Sequence, residues 1–194
     1  MQAKWLAALV CAGLAWGQAS KLEPRGYTND FAGVLSPAGV QRLDGLAGEV
    51  ERKTGAQIAV VVIRSLEGAP IDDYANTLAR RWGIGRKDNR GVLLLLVVDD
   101  RRSRIEVGYG LEPILPDGRV GGILRDMRPA LRQADYDGAL WHAVGQISTA
   151  IAESSGVTLE DPTLPRPPPR RMPQREGPGL PLWALGLGAV GALW

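Results

Sequence analysis

Three aspartates stand where a small α/β domain gathers its ligands. Asp99 and Asp100 follow an unbroken apolar run, Val92 to Val98, and Asp30 precedes the first long helical pattern. In a parallel α/β unit, ligands collect at the carboxyl ends of the strands. Asp99 and Asp100 close a strand at that end. The first helix must run back against the next strand, which brings Asp30 to the same place. Three convergent carboxylates suit a hard divalent cation, Ca²⁺ or Mg²⁺. Arg101, Arg102 and Arg104 follow closely and compete as partners. Asp88, Asn89, Glu112 and Asp117 belong to the opposite end, ~20 Å away for a strand of about six residues. They form a second, weaker set. For both sets the plainer reading is turn chemistry and solvated charge, since neither has the dense spacing of an EF-hand loop.

Other chemistries find little support. The one cysteine, Cys11, lies in an apolar leader, and Val10 before it is too large for the usual lipoprotein cleavage site. The one histidine, His142, sits beside the apolar stripe of the last helical pattern and reads as structural. There is no Walker loop, no His-Glu-x-x-His and no Gly-x-Ser-x-Gly. Gly108-Tyr109-Gly110 does not extend to a dinucleotide fingerprint, so its glycines read as a bulge or a close approach. No nucleotide or flavin is expected. Without a nucleophile, any phosphatase chemistry would have to be metal-assisted.

The elements that position these residues follow from periodicity. Val92–Val98 lacks helical spacing and is rich in leucine and β-branched residues, so it predicts a strand buried on both faces. Arg104 to Gly110 alternates, with Ile105, Val107 and Tyr109 on one side, and predicts a half-buried strand. The five residues Asp99–Ser103 join the two as a hairpin. Ser36-Pro37 starts a helix that Gly55 ends. Ala56–Ile63 is a second buried strand, and Ile71–Trp82 an amphipathic helix whose Asp72 and Asp73 complement the helix dipole. Lys21–Asp30 reads as polar and irregular. A third helix begins near Gly118, and Pro129 should kink it or end its first half. A last helix carries Leu140, Ala143, Val144, Ile147 and Ile151. The strand–helix–strand unit requires a right-handed parallel crossover. The expected architecture is a three-layer α/β/α sandwich around a small mixed sheet, with the hairpin at its centre.

The ends differ from the middle. Tyr27–Gly156 holds 16 Lys and Arg against 17 Asp and Glu, a net charge of −1. Such a balance argues against a nucleic-acid partner, which needs a clustered basic face. Met1–Ala19 has the charge, apolar stretch and small residues of a secretory signal, with Gly17 and Ala19 before the cleavage point. A retained helix is the alternative. Cleavage there leaves a chain without cysteine. Residues 157–179 form a Pro/Arg-rich linker expected not to pack on the domain. Leu180–Trp194 is apolar and reads as a membrane anchor, at ~22 Å either short or continued by further chain.

The sequence resembles the TPM-domain family, in its YgcG-like bacterial branch. The stretches that carry the resemblance are TNDFAGVLSPAG (Thr28–Gly39), TGAQIAVVVIRSL (Thr54–Leu66), the run from Tyr74 to Asp117 with WGIG, GVLLLL and IEVGYGLE, and DYDGAL (Asp135–Leu140). Thylakoid-lumen proteins of photosystem II repair are similar. The resemblance implies a Rossmann-like sandwich, exported and often membrane-tethered, with divalent-cation binding and phosphatase activity in some members. The expected function is an accessory or interaction module on the extracytoplasmic face of the membrane, its partner a membrane protein or complex. A metal-assisted phosphatase acting on phosphate esters is the alternative.

Overall fold

The computed structural model describes Leu22–Asp161. The expected signal peptide with Cys11, most of the proline-rich linker and the apolar segment 180–194 lie outside these residues.

The β-branched run after Ala56 forms β2 (Gln57–Ile63), and the leucine run forms β3 (Gly91–Val97). Every residue of β3 is buried, and β2 is nearly as dry. The two pair in parallel, Val60 opposite Leu94. β4 (Arg102–Val107) pairs antiparallel with β3, Ile105 opposite Leu94. The hairpin turn is therefore Val98–Arg101, tighter than the alternation suggested. A fourth strand, β1 (Thr28–Asp30), pairs in parallel with β2 and gives the order β1-β2-β3-β4. This corrects the expectation of irregular chain up to Asp30. Three polar residues are too few to show a period, and the strand exists because β2 offers an open edge. Asn29 is buried in it, its Oδ1 accepting from the Arg25 N–H and its Nδ2 donating to the Gly26 carbonyl.

Among the described residues, four helices cover the sheet. α1 (Pro37–Thr54) begins at Ser36, whose side chain accepts from the Gly39 N–H, and ends at Gly55 in the left-handed region. α2 (Ile71–Trp82) carries Asp72 and Asp73 in its first turn. α3 (Asp117–Arg132) and α4 (Tyr136–Ser155) follow. α3 runs on past Pro129 instead of breaking there, because a proline so near the carboxyl end removes a bond only from the last turns. α2 alone packs over Val61, Leu93 and Leu95 on one face. α1, α3 and α4 pack over Val60, Leu94, Leu96 and Ile105 on the other. The three-layer α/β/α sandwich is thus the observed fold.

Two further expectations change. Tyr109 does not continue β4 toward the core. The chain leaves the sheet at Gly108 into a short 3₁₀ turn, Tyr109–Leu111, and Tyr109 is 78% exposed. Residues 158–160 also pack on the domain, where the sequence predicts a linker free of it from residue 157. Lys53 Nζ donates to the Thr158 carbonyl and pairs with Glu160, whose own N–H donates to Glu49, while Leu159 packs on the core. Leu159 supplies apolar area that a proline count overlooks. Near the other end, the Tyr27 hydroxyl donates to Glu51 at 2.5 Å. That bond, with burial, raises the Tyr27 pKa above its usual 10.0.

Glycines where the loop 83–90 and the start of β3 cross the end of β4 are fixed by crowding. A Cβ on Gly108 would collide with the Asn89 carbonyl oxygen, although Gly108 itself has an ordinary φ of −70°. Gly118, in the first turn of α3, has open space around it. Gly108→Ala is therefore expected to lose about 2 kcal/mol, and Gly118→Ala to gain up to about 1 kcal/mol. Urea unfolding of the two variants measures both signs.

Candidate functional site

Asp30, Asp99 and Asp100 do share the carboxyl end of the parallel strands. Asp30 closes β1, and Asp99 and Asp100 lie in the turn after β3. Each, however, has its own partners. The two oxygens of Asp30 accept from four backbone N–H groups, those of Ala32 and Gly33 on one oxygen and Val34 and Leu35 on the other, at 2.8–3.0 Å. The carboxylate thereby folds the 31–35 loop around itself. Asp100 accepts from the Ser65 hydroxyl and the Leu66 N–H, both at 2.9 Å, and so ties the β3–β4 turn to the exit of β2. Asp99 faces Arg64 at 3.8 Å, both side chains more than half exposed. Arg64 also donates to the Ala32 carbonyl at 2.8 Å. The compensating arginine is thus Arg64. Arg104, expected to compete here, pairs instead with Asp72 and Glu106. Among the described residues, no group of three or more His, Cys, Asp or Glu side chains is placed to hold a metal ion. A shared cation at this end would have to draw these carboxylates away from their present partners.

The opposite end is shaped by backbone crossing. The Gly108 N–H donates to the Gly91 carbonyl at 2.7 Å, and the Gly110 N–H to the Asn89 carbonyl at 3.0 Å. The chain can cross so closely only because glycines meet there. A cleft of about 390 Å³ opens beside this crossing, bordered by Asn76, Arg80, Arg86, Asn89, Glu106 and Tyr109. A second cleft, of about 650 Å³, lies on the other flank of β4 against α3. Of the second carboxylate set, Glu112 and Asp117 border this larger cleft, Asn89 borders the smaller one, and Asp88 borders neither.

The remaining polar residues singled out by the sequence are structural. His142 Nε2 lies 2.8 Å from Gln146 Nε2, which also donates to Asp126. In the DYDG segment Asp135 caps α4 by accepting from the Gly138 N–H at 2.9 Å. Asp137 accepts from the Ser36 N–H at 3.1 Å and fastens the start of α4 to the start of α1.

A profile of the TPM domain matches residues 28–150, the whole sheet and nearly all of its helical cover. The chain belongs to the TPM-domain family. The N-terminal domain of a protein from P. gingivalis, solved by solution NMR, is similar to this TPM domain. It has 35% identity and a TM-score of 0.64, with 70% of this chain and 87% of that one covered. The N-terminal domain of the cg2496 protein of Corynebacterium glutamicum (19% identity, TM-score 0.50, 69% and 80% covered) shares the fold. So does the BA42 protein of the psychrophile Bizionia argentinensis (17%, 0.52, 69% and 86%). No curated protein matches the sequence.

Arg64 and the exposure of Tyr109 escape sequence reasoning. Arg64 looks like any arginine after a strand, and Tyr109 sits in phase with Ile105 and Val107. The two kinds of aspartate should separate by mutation. Asp30→Ala strands four N–H groups and is expected to cost about 2–4 kcal/mol. Asp99→Ala removes an exposed ion pair and should cost under about 1 kcal/mol. Chemical denaturation of the two single variants provides the comparison.

Proposed function

We propose that this TPM domain is an interaction module working outside the cytoplasm. Export follows from the signal-like Met1–Ala19, and association with a membrane from the apolar segment 180–194. Its partner is a membrane protein or complex, not a nucleic acid. The observation that carries the reading is Tyr109. A large aromatic ring is held in solvent by a turn with backbone bonds on both sides, next to a cleft. Tyrosine so presented loses little conformational freedom on docking and is enriched among residues that dominate interfaces. A photo-crosslinking amino acid at position 109, in cells whose membranes are then fractionated, is expected to give a discrete adduct with one membrane protein. The same group at exposed Glu153 should give none. Indistinguishable patterns from the two positions would remove the reading.

A second reading keeps the cation. It is supported by the convergence of Asp30, Asp99 and Asp100 on one end, and by the word phosphatase in the name of the matching family profile. Hydrolysis of phosphate esters would then depend on Ca²⁺ or Mg²⁺ held at that end, with Arg64 displaced from Asp99. An ion at 100 times its Kd would add about 2.7 kcal/mol of stability. On this reading millimolar Ca²⁺ or Mg²⁺ raises the melting temperature, and Asp99→Asn combined with Asp100→Asn abolishes the rise. A flat melting temperature removes both the cation and the hydrolase.

A further inference from the structure

Among the described residues β4 is the last strand of the sheet, and the ladder dictates which of its backbone groups are free. In an antiparallel pair, residues alternate between facing the partner strand and facing away. Gly108 donates to Gly91 of β3, and Val107 stands opposite Val92. Glu106, Arg104 and Arg102 therefore also turn their N–H and C=O groups toward β3. Ser103, Ile105 and Val107 turn theirs outward. Among the described residues no backbone or side-chain group pairs with these outward groups.

The cleft of about 650 Å³ runs along this same edge, between β4 and α3, with Leu115, Val120 and Leu124 as its apolar wall. Gly121 sits in that wall. A Cβ there would meet only the Arg125 guanidinium, at 3.4 Å, and a Cβ on Gly122 only the same group, at 3.7 Å. A glycine inside a helix costs about 1 kcal/mol relative to alanine. The packing of the domain itself does not require these glycines, whereas a body approaching the helix would. Glu112 and Asp117 stand exposed on the rim, and Arg104 is already engaged by Asp72 and Glu106.

We propose that the β4 edge and the α3 wall form a groove for an extended peptide of a partner protein, apolar at alternate positions and ending in a basic residue. The proposal rests on the interaction-module reading and names what that module binds. The peptide adds a fifth strand through Ser103, Ile105 and Val107. Its side chains opposite those residues enter the cleft past Gly121, and a terminal lysine or arginine on that same face, beyond Val107, reaches Glu112 and Asp117. A second copy of this chain fits less well. Antiparallel pairing of two β4 strands about Ile105 would set Arg104 of each copy opposite Glu106 of the other. On the cleft face, however, it offers only Ser103, Val107 and an Ile105 already buried in its own core. Nothing would fill the space beside Gly121.

The test uses the full chain in detergent micelles and a fluorescent peptide of alternating valine and threonine that ends in a lysine in phase with the valines. Anisotropy should show saturable binding, and hydrogen exchange should show new protection at 102–107. The same peptide ending in glutamate, and the lysine peptide N-methylated at valine, should not bind. Gly121→Leu should weaken binding by about ten-fold or more without lowering the melting temperature, since leucine favours the helix. Gly118→Ala should bind as the parent does. The proposal is overturned if the lysine peptide fails to bind, if the glutamate peptide binds equally, or if Gly121→Leu binds normally. Protection of 102–107 by self-association, without peptide, overturns it in favour of a second copy. A discrete adduct at position 109 with no peptide binding removes the groove and leaves the interaction module.

Discussion

A strand buried on both faces has no surface to give to water, and this governs the domain. All seven residues of β3 are buried, with Leu93, Leu95 and Val97 against α2 and Val92, Leu94 and Leu96 against the other helices. Such a strand needs neighbours along both edges to satisfy its backbone and cover above and below to keep it dry. β2 and β4 supply the first, and the four helices the second. The polar chemistry is thereby pushed to the two ends of the sheet, where loops must turn within a few residues.

At those turns the carboxylates mostly serve the backbone. Asp30 gathers four N–H groups, Asp100 binds the Leu66 N–H, Asp44 accepts from the Thr28 N–H, and Asp135 and Asp137 accept at the starts of α4 and α1. A short carboxylate beside its own chain is a ready acceptor for orphaned donors. The acidic look of the carboxyl end is therefore, in large part, the signature of how its loops are closed.

How much of this was legible follows from what each segment announces. The leucine run declared β3, and Ser36-Pro37 with Gly55 declared both ends of α1, because capping and burial are local properties. β1 was silent, since Thr28–Asp30 has neither length nor apolar content and is ordered by the open edge of β2. The end of β4 misled, because alternation persists through Tyr109 while the glycine crossing at Gly108 has already taken the chain out of the sheet. For the carboxylates, strand direction placed Asp30, Asp99 and Asp100 at the correct end. Their partners depend on where Arg64, Ser65 and the 31–35 loop come to rest, which no spacing within the sequence encodes. The outward backbone of β4 and the bare wall at Gly121 are likewise properties of assembly.

The unequal covering of the two faces has a consequence for how the chain is made. The face under α2 has all its strands and its helix once Val107 has been synthesised. The opposite face still lacks Ile123 and Met127 of α3, and Leu140, Val144, Ile147 and Ile151 of α4, the last helix of the domain. Until those residues follow, Val60, Leu94 and Leu96 have only α1 against them. The contact that seals this side, Asp137 on the Ser36 N–H, spans most of the domain in sequence. Contacts of such long range slow folding. A nascent chain thus carries one finished face and one oily, unfinished face until its final helix arrives, which is the interval in which a chaperone or a wrong neighbour can reach it.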